Sequence, residues 1–310
     1  MFAFQTETGE LVGIAPLYRQ SAQHLGLIRT RRLQLMGSAW RVEAAVFSEY
    51  LDVIAAADAR AEVHDALRIA LESDTDWDEL ALGNVRGDSA AEHIALALAA
   101  VSYSRRVETM LAWTVHLPAS FAQFVAQLAS NTRRKLLHQR SKVAGAQFVE
   151  LSPDEWPGAL ARLERFVAQR WGHGERGPGH AFHADLIESL DANAVRLTEL
   201  RSEAGCLSVM LNIRAGETEY YLQSGFDANH VRGLSPGYLH LGYAIEAACR
   251  DGMRRFDLLA GRGLNRDYKR DLAAVATPLA TLHVLRRGPL RALFRVADRL
   301  RGRTDITSRA

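Results

Sequence analysis

Three apolar segments of strand length follow one another at 195–200, 206–213 and 218–226, joined by turn residues at 203–205 and 215–216. Such spacing reads as strands linked by tight hairpins. The third segment gives way to the loop His230-Val-Arg-Gly-Leu-Ser-Pro-Gly237, a helix over 236–250 and a strand over 256–259. A strand at 147–151 and helices over 154–171 and 181–190 come before the run, and a strand over 280–285 follows it. The order β-α-α-β-β-β-loop-α-β-loop-β points to an α/β architecture, with a mixed, largely antiparallel sheet flanked by helices.

The loop before the last helix carries the strongest local chemistry. Ser235 suits a helix N-cap, and Pro236 suits the first turn, where its missing N–H costs nothing. Gly233 and Gly237 allow close backbone approach. Free N–H groups at the helix start, together with the helix dipole, form an anion site of the kind that holds pyrophosphate, and Arg232 adds a charge. An ordinary capped helix after a glycine turn is the alternative on the motif alone.

The first half also alternates, with strands at 11–18, 33–36, 50–54, 79–82 and 106–117 and helices over 61–71 and 90–101. A chain of 310 residues is suited to two domains, expected here at 1–117 and 118–310. A short internal repeat supports duplication: helix, acidic turn and Trp-Asp-Glu-Leu-Ala-Leu-Gly83 in one half; helix, turn and Phe-Asp-Leu-Leu-Ala-Gly261 in the other. No window approaches 18 apolar residues, and the first residues lack a basic, apolar leader pattern. Cys206 and Cys249 lie in apolar stretches and read as small buried hydrophobes. A cytoplasmic protein is expected.

Charge is uneven along the chain. No acid lies between Glu108 and Glu150, whereas Arg133, Arg134, Lys135, Arg140 and Lys142 do. That helix, expected to run from 121 to 143 with Ser120 as its N-cap, reads as a solvated face or a phosphate-attracting one. Lysine occurs three times, at 135, 142 and 269, in a chain with 38 basic residues. Arginine is no substitute for an ammonium point charge, so each lysine position is notable. Within 286–303 seven arginines face the single acid Asp298. The amphipathic pattern there fits a docked terminal helix, or one resting on an anionic membrane.

The β-β-β-loop-α-β run resembles the GCN5-related N-acetyltransferase (GNAT) fold. More specific are Ser-Pro-Gly-Tyr-Leu at 235–239, Ala-Cys-Arg-Asp-Gly at 248–252, Phe-Asp-Leu-Leu-Ala-Gly at 256–261, Tyr-Lys-Arg at 268–270 and Asn131-Thr-Arg-Arg-Lys135. These resemble the BioF2-like and CelD-like acetyltransferases, relatives of the FemABX peptidyltransferases, over 118–285 and more weakly over 10–117. The resemblance implies tandem GNAT-like modules, the first of them partial. It implies acetyl-CoA or another acyl-CoA as co-substrate and no metal. Its phosphates would lie on Arg232, Gly233, Leu234, Ser235, Gly237 and Tyr238. The loop pattern is met only loosely at 232–237, and Arg262 stands where relatives often have an acid.

Acyl transfer needs a base, an acid for the leaving thiolate and a positioned acceptor. Asp257, Asp227 and Glu219 are the candidate bases or orienting groups, with Glu219 expected to be solvated. Tyr268 is the candidate acid, and Lys269 the functional lysine that the resemblance implies. His173, His180 and His183 sit in or beside the glycine-rich loop 172–179, which reads as an acceptor-side loop. The implied activity is N- or O-acylation of a cell-envelope or exopolysaccharide precursor, with a saccharide or lipid-linked acceptor. Two alternatives are a FemX-type enzyme using aminoacyl-tRNA, the one reading that brings in nucleic acid, and a non-catalytic accessory protein of polysaccharide synthesis.

Overall fold

The computed structural model describes residues 1–24, 26–38, 48–99, 102–171, 179–227, 233–260, 266–286 and 288–300. It divides into two units: 1–111 together with 278–310, and 112–277. The stretch 278–310, expected in the second module, therefore groups with the first.

The first unit opens with strands β1 (Phe2–Gln5), β2 (Leu11–Ala15), β3 (Leu17–His24), β4 (Ile28–Leu35) and β5 (Ile54–Ala55). The single strand expected at 11–18 is split at Pro16, which has no N–H for a ladder. Helix α1 (Arg60–Ser73), strand β6 (Glu79–Arg86), helix α2 (Ala90–Leu98) and strand β7 (Tyr103–His116) follow. Strands β1, β2 and β5 make a small sheet. Strands β3 and β4 form an antiparallel hairpin, and β4 runs parallel to β6 with Leu33 opposite Leu80. Leu35, Leu67, Leu71, Leu80 and Leu98 pack in the core beneath α1 and α2.

The second unit holds helices α3 (Phe121–Ala126) and α4 (Ser130–Leu136), a 3₁₀ turn His138–Lys142, strand β8 (Gln147–Glu150), and helices α5 (Trp156–Trp171) and α6 (Gly179–Ser189). Strands β9 (Val195–Ser202), β10 (Gly205–Ala215) and β11 (Thr218–Phe226) come next, then helix α7 (Pro236–Arg250) and strand β12 (Arg255–Asp257). The expected helix over 121–143 is thus three short pieces. Ser120 does cap the first, accepting from Gln123 N at 3.3 Å. Its break falls beside Ser130-Asn131-Thr132, residues whose side chains compete for backbone bonds. Strands β8 to β11 are antiparallel, β11 and β12 are parallel, and β12 is antiparallel to the end of β7 with Phe256 opposite Val115. Phe124, Leu136, Met210, Ile245, Phe256 and Leu272 form this unit's core.

The described residues close with strand β13 (Val275–Leu285) and helix α8 (Pro289–Leu300). Strand β13 is antiparallel to β6, Leu282 opposite Leu82. Each unit therefore repeats one plan: a hairpin strand, a helix, a parallel strand and an antiparallel closing strand. In the first these are β4, α1, β6 and β13; in the second, β11, α7, β12 and β7. The fold class expected from the sequence is present, and the faint repeat corresponds to α1–β6 and α7–β12.

Helix α8 is bound to the first unit through charge. Arg105 donates to both oxygens of the fully buried Asp298, at 2.8 and 2.9 Å, and Tyr103 donates at 3.2 Å. Beside them Glu79 accepts from Thr30 and from His283 Nε2 at 2.6 Å, while Arg105 Nε donates to His283 Nδ1. Burial opposes ionisation of Glu79, but hydrogen bonds from His24, His283 and Thr30 hold its carboxyl well below the usual range. These bonds, with the β13–β6 ladder, tie 278–300 to the first unit.

Candidate active site

A cleft of about 540 Å³ opens at the start of α7. It exists because β11 outruns its parallel neighbour. Pairing with β12 ends at Tyr220 opposite Asp257, whereas β11 continues to Phe226 on the β10 side. From Tyr221 onward the two strands part. A bulge at Leu222, between the pairs Leu211–Gln223 and Asn212–Tyr221, shifts the side-chain alternation. It brings the Tyr221 hydroxyl within 2.5 Å of Ser224 Oγ. Tyr221, Ser224 and Phe226 line the cleft.

The opposite wall is the loop and first turn of α7: Leu234, Ser235, Pro236, Gly237 and Tyr238. Gly233 has φ +84°, the left-handed region that a glycine reaches cheaply. Ser235 occupies the N-cap position, but its side chain makes no cap bond. Its place is taken by Gln139, a buried residue of the 3₁₀ turn. Gln139 accepts from Ser235 N at 2.9 Å and donates to Gly233 O at 3.0 Å. The first intrahelical bond runs from Leu239 N to Ser235 O, so the amides of Gly237 and Tyr238 precede it at the cleft wall. Of the expected phosphate-binding residues, Leu234, Ser235, Gly237 and Tyr238 line the cleft and Gly233 adjoins it. Arg232 lies outside the described residues, as do most of the loop 172–179 and His173.

Two cations reach this cleft, Lys135 from α4 and Arg170 from α5. Lys135 Nζ stands 4.8 Å from the Tyr238 ring centre, and the Arg170 guanidinium 4.9 Å from that of Phe226. Tyr268 lines the cleft edge-on to Tyr238, their centres 5.8 Å apart. Burial, then the neighbouring Tyr221 and Tyr238, push its hydroxyl far above the ordinary tyrosine range, so it stays protonated. Tyr221 and Tyr238 are raised as well, chiefly by burial.

Asp257 and Lys269 are absent from the cleft lining. Asp257 accepts from Thr114 Oγ1 at 2.8 Å and from Leu259 N at 2.7 Å. Lys269 donates its three protons to the carbonyls of Leu258, Leu259 and Ala260, at 2.7, 2.8 and 2.9 Å. Leu259 has φ +56°. Both side chains therefore fix the strained exit of β12, which is where it departs from β11. Glu219, expected to be solvated, is buried and accepts from Asn212 at 2.7 Å and Arg214 at 2.8 Å. Burial pushes the Cys206 thiol up to about 11, which argues against a nucleophile there. Among the described residues no group of His, Cys, Asp and Glu is arranged to hold a metal.

The sequence reading missed Arg170, Tyr221, Ser224 and Asp271, all of which line the cleft, and Gln139 behind its wall. Tyr221 was reachable, since it sits on the strand directly before the phosphate-type loop. Arg170 was not, because nothing local to α5 marks which arginine turns toward β11.

Residues 126–270 match the profile of the acetyltransferase (GNAT) domain. Residues 126–270 are thus GNAT acetyltransferase-like, and they lie within the unit that holds the cleft. The fold is similar to that of FemX: TM-score 0.62, 12% identity, covering 94% of this chain and 90% of FemX. It is also similar to L-PGS from Bacillus licheniformis: TM-score 0.54, 11% identity, 97% and 88% covered. Curated protein sequences give no significant match. Among the described residues no helix is long and apolar enough to cross a membrane.

Proposed function

We propose that the second unit is an acyl-CoA-dependent acyltransferase, acting on an amine or hydroxyl through the cleft between β11 and α7. The observation that carries this is the juxtaposition of the α7 start, Lys135 and Arg170 with a tyrosine-lined interior where β11 and β12 part. The Gly237 and Tyr238 amides and Lys135 are suited to hold the donor's phosphates. Acyl-CoA supplies an activated thioester when bound. The splayed edge of β11 is suited to align its extended arm by backbone hydrogen bonds. Tyr268, kept protonated by burial and hydrogen-bonded to Tyr221, is suited to pass its proton to the leaving thiolate and to regain one from the attacking amine or hydroxyl. Asp257 and Lys269 position the wall and do not touch the reacting atoms. A cell-envelope or exopolysaccharide precursor as acceptor belongs to this proposal through the family resemblance.

Calorimetry with CoA tests it. Micromolar binding is expected, with Lys135→Ala and Gly237→Asp each weakening it at least tenfold, about 1.4 kcal/mol. A Cβ at Gly237 meets the Phe226 ring at 3.3 Å, so circular dichroism must accompany that variant. Absent CoA binding would overturn the reading. A second reading, transfer from aminoacyl-tRNA, draws on the exposed basic residues Arg134 of α4 and Lys142 of the 3₁₀ turn. It requires RNA binding that falls steeply with salt.

A further inference from the structure

Helix α8 presents three faces at 3.6 residues per turn. Leu290, Phe294 and Asp298 face the first unit, where Leu290 and Phe294 pack with Tyr103, Leu285 and Ile28. Arg291, Arg295 and Arg299 form a second stripe. The third holds Leu293, Val296 and Leu300, which are 39%, 55% and 84% exposed. A helix whose inward face is already satisfied has no folding reason to carry a second apolar stripe into water. Leu27, at the tip of the β3–β4 hairpin, is 87% exposed. It directly precedes Ile28, which packs against the same helix, and Arg29 beside it is exposed.

We infer that the outer side of α8 is a docking surface for an anionic phospholipid bilayer, with Leu293, Val296 and Leu300 entering the interface and Arg291 and Arg299 meeting the headgroups. Charge selects this occupant. The block 286–303 holds seven arginines and one acid, and that acid, Asp298, is turned inward onto Arg105. The nearby acidic turn of the same unit is neutralised locally, Asp74 and Asp76 by Arg19 and Asp78 by Arg31. A second copy meeting this face about a twofold axis would set arginine against arginine. A layer of lipid phosphates neutralises them, and the adjacent apolar stripe then inserts at shallow depth. The inference does not depend on the reading of the cleft.

Vesicle sedimentation of the full chain tests it. Vesicles of mixed phosphatidylglycerol and phosphatidylcholine should bind the protein at low salt, and phosphatidylcholine alone should not. High salt should release it. Leu293→Asp with Leu300→Asp should reduce binding about tenfold or more, and so should Arg291→Gln with Arg299→Gln. These side chains lie on the two outward stripes, so circular dichroism and CoA affinity should stay at wild-type levels. Equal binding to both vesicle types overturns the proposal, as does unchanged binding by both variants. A wild-type dimer in light scattering that the leucine variant splits overturns it too, by giving the face to a second copy.

Discussion

The ammonium of Lys269 ends on three carbonyls, a geometry that a compact tetrahedral donor meets and a planar guanidinium does not. Lysine scarcity singled the position out, but sequence carries no direction, and the side chain turns to the backbone of β12's exit. Losing the donor removes a charged partner from three carbonyls at once, those of Leu258 and Ala260 buried and that of Leu259 half-buried. Lys269→Met is therefore expected to lower stability by roughly 2–3 kcal/mol, since hydrogen bonds to charged groups contribute about 1.5–3 kcal/mol each and partial rearrangement recovers some. Lys269→Arg should recover little of it. Urea unfolding of the three proteins measures this; equal midpoints would show that the three bonds contribute nothing.

Helices α4 and α7 touch at a point with no room for a side chain. A Cβ at Gly242 would lie 2.3 Å from Leu136 O, a backbone atom that cannot swing aside. Gly242→Ala should push α4 away and cost about 1–3 kcal/mol as an overpacked contact. Lys135, one residue before Leu136, should move with it, so CoA affinity should fall together with the melting temperature. Wild-type values for both would mean the helices have slack. This contact also marks the limit of what sequence makes legible. The order of elements from 195 to 259 could be read because hairpin turns, the proline-started helix and apolar periods are local signals. The second break in 121–143, ahead of the 3₁₀ turn, could not, because Gln139 is held by the loop at 233–235, far along the chain. The loop and Tyr268, both singled out by sequence, do line one cleft. The strand carrying Tyr221 was legible too, but the cation Arg170 depends on a helix facing, which only tertiary structure decides.

Across the whole molecule, burial in both units sets a pH dependence. Burial lowers His240 from the ordinary 6.5 to about 3, and its ring nitrogens meet Thr198 and Ser208. His283 falls to about 4, chiefly through burial, despite Glu79 beside it. Unfolded histidine takes up a proton below 6.5, while these folded rings do not, so the unfolded state gains protons as pH drops. Stability is full above 6.5 and declines through the window from 6.5 to about 4, by up to about 1.4 kcal/mol per pH unit for each ring. Urea midpoints from neutral to mildly acidic pH should fall steadily; a flat profile would contradict the burial of both. The pairing of β13 with β6 has a further consequence, for the order of events at the ribosome. Residues 112–277 have all emerged before β13 is complete, so the later-encoded unit is the first able to finish folding. The N-terminal unit must wait until β13 has been made. Until then the β6 edge and the charges of Glu79 and Arg105 stay uncovered, a nascent state open to mispairing and in need of protection.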